Sequence, residues 1–194
     1  MLRSRCVVLA LLIAVAPAIH TQVQTSAPKS VITVHVRKSG LFSAFAHDHV
    51  VTAPVTSGAL DTKAMTVQIT VPTRQMKVVD PGVSEKERTE IQETMLGPKV
   101  LNVEKYPEIR FASSHVELLG PQHYRVTGKL QLHGANRELT FEVTGGPEQY
   151  QGKARLKQTE FGIEPVAVAG GTVKVKDELE IEFNVFGSEL ASNR

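Results

Sequence analysis

Two runs near the start of the chain alternate between apolar and polar residues, Val31 to Lys38 and Leu41 to Val51. Ser39-Gly40 separates them, and a glycine-containing break of two residues between alternating runs is typical of a β-hairpin. Counting outward from a two-residue turn gives the facing pairs Lys38 with Leu41, Val36 with Ser43, Val34 with Phe45, and Ile32 with His47. A three-residue turn would change these partners.

Facing residues share one side of a sheet, so the hairpin predicts which side is buried. One side is mainly apolar and carries two histidines: Ile32, Val34, Val36, Phe45, His47, His49 and Val51. The other side holds the charges and is expected to face solvent: Thr33, His35, Arg37, Ala44, Ala46, Asp48 and Val50. The pattern therefore predicts that the two histidines of the first side point into the protein.

The residues after the hairpin predict two further strands and then one helix. The strand-like runs are Val55 to Asp61 and Met65 to Val71. Ser84 followed by Glu87 is a capping box, and apolar residues then recur at helical spacing. We predict a helix from Glu85 to Leu96, and because its apolar stripe is thin, we expect it on the flank of the fold.

The second half of the chain is almost wholly strand-like. Six runs are predicted: Glu108 to Leu118, His123 to Leu132, Glu138 to Thr144, Tyr150 to Thr159, Thr172 to Lys176, and Glu178 to Phe186. Alternation turns these residues inward: Ile109, Phe111, Tyr124, Val126, Leu130, Leu132, Leu139, Phe141, Val143, Leu179, Ile181, Phe183 and Val185. About eight such strands predict an all-β fold, an antiparallel barrel or sandwich. A barrel of about eight strands encloses packed side chains or one small ligand.

Residues 1–18 have the features of a secretory signal peptide. The segment combines basic residues, an unbroken apolar run and small residues at its end: Arg3, Arg5, Cys6 to Ala16, and Ala18. We expect cleavage near Ile19, export to the periplasm, and a flexible lead-in over residues 19–30. An uncleaved anchor is the alternative, but a spanning helix needs about 20 apolar residues, so no stable membrane insertion is expected.

Loss of that segment changes the charge and the redox chemistry of the chain. It removes two arginines and the single cysteine, which leaves 20 basic and 20 acidic residues and no means of forming an internal disulfide. A net charge near zero gives no support for nucleic-acid binding. The mature chain must therefore be held together by its core alone, and its length is sufficient for one domain.

The histidines are the main candidates for chemistry. His47 and His49 lie two residues apart on one strand and point the same way, but zinc needs at least a third protein ligand. His133, at the end of its strand, could supply that ligand; the alternative is that these are hydrogen-bonded histidines of the barrel wall. The sequence has no nucleophile elbow and no phosphate-binding loop, so we expect neither an enzyme nor a cofactor.

Four motifs occur along the chain in a fixed order: Phe45-Ala-His47, Tyr106-Pro107-Glu-Ile109-Arg-Phe111-Ala-Ser113, Gly128-Lys-Leu130-Gln-Leu132-His133-Gly134, and Phe161-Gly162-Ile163. This order resembles that of the YceI-like family. The resemblance covers residues 31–187 and leaves residues 188–194 as a tail. It implies an exported, lipocalin-like barrel that holds a long amphiphilic or isoprenoid-type molecule in an elongated cavity. The insertion from about Asp80 to Leu96 departs from the family pattern.

Three functional hypotheses follow. The first is an exported carrier whose lipid contacts Ile32, Val34, Phe45, His47, His49, Val67, Ile69, Ile109, Phe111, Val126, Leu130, Phe141 and Phe183. The second is a metal-dependent or haem-linked redox or hydrolytic protein that uses His47 and His49. The third is a structural or stress-response barrel filled by its own side chains, although the low aromatic content favours an open cavity. The expected partner is the lipid, and a homodimer is left open.

Overall fold

A computed structural model describes residues 29–39, 48–168, 170 and 173–192. The strands are β1 (Val31–Ser39), β2 (His49–Pro54), β3 (Ser57–Asp61), β4 (Thr66–Pro72), β5 (Lys77–Val78), β6 (Glu108–Gly120), β7 (His123–Leu132), β8 (Ala135–Gly146), β9 (Gln149–Lys157), β10 (Ala167–Val168), β11 (Val173–Val185) and β12 (Ala191–Ser192). One α-helix, α1, spans Glu85–Leu96. Short 3-10 turns occupy Thr73–Gln75, Gln158–Phe161 and Gly187–Glu189.

The strands form one sheet in the order β12-β3-β4-β6-β7-β8-β9-β11-β1-β2-β5. Neighbouring strands are antiparallel, apart from the short parallel pair of β12 and β3. β2 and β3 lie near opposite ends of this order, yet only Val55 and Thr56 separate them in the chain. Thr56 N–H already donates to the Thr70 carbonyl of β4, so this two-residue link brings the two ends of the strand order close together. The sheet therefore curls into an antiparallel, lipocalin-like barrel, as predicted.

The first hairpin differs from the prediction in its register. β1 pairs with β2 through Val36 opposite His49, so the partner of Val36 moves from residue 43 to residue 49. β1 continues to Ser39 and its Val36 lies opposite His49, so the predicted two-residue turn at Ser39-Gly40 is wrong. The shift of six residues is even, so the inward faces of β1 and β2 are the predicted ones. Phe45 and His47 lie outside the described residues.

Helix α1 has the predicted bounds. Ser84 Oγ accepts from Glu87 N–H and the Glu87 carboxylate accepts from Ser84 N–H, which completes the capping box. None of its residues is fully buried, and the helix is attached to β5 mainly by Gln92. The Gln92 amide accepts from Val78 N–H and donates to the Met76 carbonyl, both at 2.8 Å. No helix in the described part of the chain has the length and apolar character that a bilayer crossing requires.

Strands β6 to β9 form a continuous meander of hairpins, which we call the hairpin wall. Each strand pairs with the next, and β8 begins directly after the turn at His133-Gly134, earlier than predicted. The two runs predicted around Asp177 are a single strand, β11. The Asp177 carboxylate accepts from the backbone and the hydroxyl of Thr159 at the surface, so this polar residue does not interrupt the strand.

Both ends of the described chain pack onto the barrel. Ser30, assigned to the lead-in by the sequence, is 2% exposed, and its hydroxyl accepts from Phe186 N–H. Leu190, assigned to the tail, is 5% exposed and faces the barrel interior. β12 then pairs with β3. The folded unit therefore extends at least from Ser30 to β12.

Candidate ligand-binding cavity

The barrel encloses a cavity of about 490 Å³. This volume falls within the range of about 300–1,000 Å³ that small-molecule sites occupy. The wall consists mainly of apolar side chains that alternation turns inward. It includes ten of the predicted ligand contacts: Ile32, Val34, Val67, Ile69, Ile109, Phe111, Val126, Leu130, Phe141 and Phe183. That these residues contact a lipid stays a prediction.

A row of three phenylalanines crosses the cavity wall. The rings of Phe111 and Phe141 have centroids 5.3 Å apart, and Phe183 continues the row at 5.3 Å from Phe141. These rings come from β6, β8 and β11, and the strands between them carry Gly128 and Gly152. A Cβ atom at either glycine would lie 2.5 Å from a phenylalanine Cζ. The two glycines therefore give the rings room to lie against the wall.

One end of the cavity is sealed. Phe161 and Ile163 follow β9 and are 1% and 3% exposed, and Leu101 closes the cavity from the segment after α1. Gln158 is a polar exception, because it lines this apolar end and is only 5% exposed. Its Nε2 donates to the Lys176 carbonyl at 2.8 Å. Gln158 was not among the predicted ligand contacts, although the inward alternation of β9 from Tyr150 to Leu156 continues to this residue.

The other end of the cavity is open. Leu118 lines it and is 61% exposed, an unusual position for a large apolar side chain. Tyr124 and Tyr150 stand nearby with ring centroids 6.5 Å apart, and burial, followed by the proximity of Tyr124, raises the pKa of Tyr150. Asp61 belongs to this rim, but its Oδ1 accepts from the backbone of the β3–β4 turn. We call these residues the open rim.

His49, predicted as a ligand contact, does not line the cavity. Its Nδ1–H donates to Asp80 Oδ2 at 2.7 Å, and Asp80 is only 2% exposed. The same carboxylate accepts from Val50 N–H at 2.6 Å, and Arg88 donates to the Asp80 carbonyl at 3.2 Å. This buried cluster joins β2 to the helical insertion. His49 therefore forms a hydrogen bond in the barrel wall, which was one of the three predicted alternatives beside a lipid contact and a metal ligand.

His133, the predicted third metal ligand, is held in place by a hydrogen bond and a ring contact. Its Nδ1–H donates to the Phe161 carbonyl at 3.2 Å, and its ring meets Tyr106 edge to face at 4.6 Å between centroids. Its Nε2 is buried without a partner among the described residues. Within residues 29–39, 48–168, 170 and 173–192, no three His, Cys, Asp or Glu side chains are placed to hold a metal ion. A site that includes His47 lies outside the described residues.

Comparison with known proteins identifies the family. The family model of the YceI-like domain matches residues 18–186. Two UPF0312 proteins of Pseudomonas putida, from strains W619 and GB-1, are 31% and 30% identical over 90 residues, which cover 41% of this chain. The alignment spans 47% of each, so the chain spans about half the length of the curated relatives it matches.

A solved structure shows the same fold. The crystal structure of BcnA from Burkholderia cenocepacia superposes with a TM-score of 0.56 at 20% identity, covering 80% of this chain and 94% of BcnA. At that identity the likeness concerns the fold alone. The fold agrees with the family match, which covers most of the sequence. The chain therefore belongs to the YceI-like domain family.

Proposed function

We propose that this protein is an exported carrier that holds a long-chain amphiphilic or isoprenoid-type lipid in the barrel interior and has no catalytic activity of its own. The observation that supports the proposal most directly is the cavity of about 490 Å³ with its mainly apolar wall. Burial of apolar surface contributes about 25 cal/mol per Å², so a hydrocarbon chain in this space would be strongly favoured over water. A polar or charged metabolite would find few partners there.

Export is supported by the first 18 residues, which have the basic start, the apolar run and the small residues before the cleavage site that signal peptides share. A periplasmic carrier without cysteine suits a compartment in which thiols are oxidised. The mature protein should begin near Ile19. Recovery of the intact chain from Met1 in the cytoplasm would contradict this part of the proposal.

The test is to purify the protein from the periplasm of its own cells and to analyse it by native mass spectrometry and by solvent extraction. We expect about one lipid per chain. Ala154 lines the cavity on β9, so Ala154→Phe should fill part of the space and lower lipid retention severalfold. Arg155→Phe is the matched control, because the adjacent side chain faces solvent. A native protein without extractable lipid, or equal retention by both variants, would refute the proposal.

A further inference from the structure

The cavity wall carries almost no charge. Among its described residues there is no Lys, Arg, His or Glu, and Asp61 on the open rim is the one carboxylate. Two backbone N–H groups of the β3–β4 turn already occupy Asp61 Oδ1. Residues 40–47, outside the described part, contain His47 but no Lys, Arg, Asp or Glu in the sequence. An anionic group inside the cavity would therefore lose its water without gaining a cationic partner among the described lining residues, which is strongly unfavourable.

Gln158 can form hydrogen bonds at the sealed end without carrying a charge. A glutamine amide has two N–H donors and one carbonyl acceptor. The hydrogen bond to Lys176 uses one donor, and it is the one side-chain bond of Gln158 found among the described residues. The residues lining the cavity next to it, Leu156 and Ile163, are apolar. A buried amide in such surroundings is stabilised by a polar group that enters the cavity.

The two ends of the cavity differ in a way that suggests an orientation for the ligand. The sealed end has the buried amide of Gln158, whereas the open rim exposes the side chain of Leu118. Met65 also lines this rim from the β3–β4 turn. An apolar chain that leaves the cavity would contact Leu118 and Met65, while a polar group at the far end of the ligand would reach Gln158.

We propose that the ligand is an electrically neutral lipid, bound with its polar group inward and hydrogen-bonded to Gln158. This inference rests on the proposed function and adds the class and the orientation of the ligand. A hydroxyl, carbonyl or amide group would suit the site, because each exchanges hydrogen bonds with an amide without carrying charge. A carboxylate or phosphate at the sealed end would find no counter-charge among the described lining residues, so it should bind more weakly than a neutral group.

The experiment compares three probes with the same chain: hexadecan-1-ol, hexadecanoate and hexadecane. The delipidated full-length mature protein is incubated with equal concentrations of each at pH 7.5, and the bound fractions are measured by native mass spectrometry. We expect the alcohol to bind at least about 10-fold more tightly than hexadecanoate, since burial of a charge is costly. The alcohol should exceed hexadecane by about 5-fold, which is the effect of one hydrogen bond.

Two variants test the role of Gln158. Gln158→Met keeps the length of the side chain and should reduce the preference for the alcohol over hexadecane to about 1. Gln158→Lys introduces a cation at the sealed end and should shift the preference towards hexadecanoate. Gln131→Met is the matched control, because this exposed residue of β7 does not line the cavity, and it should leave all three affinities unchanged.

Each outcome has a distinct meaning. If wild-type protein binds hexadecanoate as well as the alcohol, the polar group lies in solvent beyond the open rim and the proposal is refuted; this comparison needs no variant. If Gln158→Met folds and keeps the preference for the alcohol over hexadecane, the assignment to Gln158 is refuted. If no probe binds, hexadecane included, the proposed lipid-carrier function fails instead.

Discussion

The hairpin wall and the opposite flank of the barrel are held in place by different physical means. In the hairpin wall, each strand pairs with its neighbour in the chain, and residue size decides how the side chains fit, as with Phe111 of β6 against Gly128 of β7. The opposite flank, which we call the helix side, consists of β2, β5 and α1. β2 pairs with β5, and Val51 and Val78 belong to the core. Polar side chains, chiefly Asp80 and Gln92, add the hydrogen bonds that fasten the helical insertion to these strands. Steric fit is therefore critical in the wall, and a few side-chain hydrogen bonds are critical on the helix side.

The largest expected effect is on the helix side. Asp80→Ala removes the acceptor of His49 Nδ1–H and of Val50 N–H, and it leaves both donors unpaired in a buried site. We expect a loss of about 3 kcal/mol in the free energy of unfolding, measured by urea denaturation with circular dichroism. Asp48→Ala is the control, because this exposed carboxylate accepts from Arg37 and from Lys38 N–H at the surface, where water can replace it, and its loss should cost less than about 1 kcal/mol. Equal effects of the two substitutions would argue against a special role for the buried cluster.

A smaller effect is expected in the hairpin wall. Gly152→Ala places a methyl group 2.5 Å from Phe183 Cζ and 2.4 Å from the Glu142 carbonyl oxygen. Overpacking of this kind should cost about 2 kcal/mol. Phe183→Leu in the same chain should recover part of the loss, which a double-mutant cycle measures. Gly146→Ala is the control, since its methyl would meet nothing closer than 3.8 Å. A stable Gly152→Ala protein would contradict the steric account.

The smallest effect concerns the attachment of α1. Gln92→Met keeps the length of the side chain but loses both hydrogen bonds to the segment of β5. We expect a loss of about 1 kcal/mol, with faster hydrogen exchange of the Val78 amide and unchanged exchange in β7. Glu93→Met, an exposed change on the same helix, should alter neither quantity. Faster exchange throughout the barrel would show that the helix side is not an independent unit.

The same difference explains what the sequence could predict. In the hairpin wall, each strand has one apolar and one polar face, so alternation was sufficient to identify inward residues such as Val126 and Phe141. Helix α1 was predictable because its capping box is a local signal. The register of β1 against β2 was not predictable, since the predicted register and the observed one, which differs by six residues, leave the same residues facing inward.

The apolar part of the candidate site was predictable from the sequence, whereas the contacts of its polar residues were not. Its apolar wall follows from alternation, but the environments of the polar residues depend on distant partners. His49 meets Asp80, which is 31 residues away in the chain, and no local pattern indicates that contact. Gln158 lies in a 3-10 turn after β9, although the predicted strand ran to Thr159, and as a polar residue it was not counted among the inward positions. The inward histidine was therefore predicted on the correct face, but its partner Asp80 was not predicted.

The pairing of β1 with β11 also determines when the barrel can form. Val31 lies opposite Asn184, so the first strand of the domain finds this partner only when nearly the whole chain is available. Contacts so distant in sequence make folding slow, and until β11 arrives one edge of β1 can pair with other chains. The hairpin wall, whose contacts are between neighbours, can form earlier. The cavity can close only after β11 has joined the two parts, so the lipid of the proposed function would be loaded at the last stage of folding or after it.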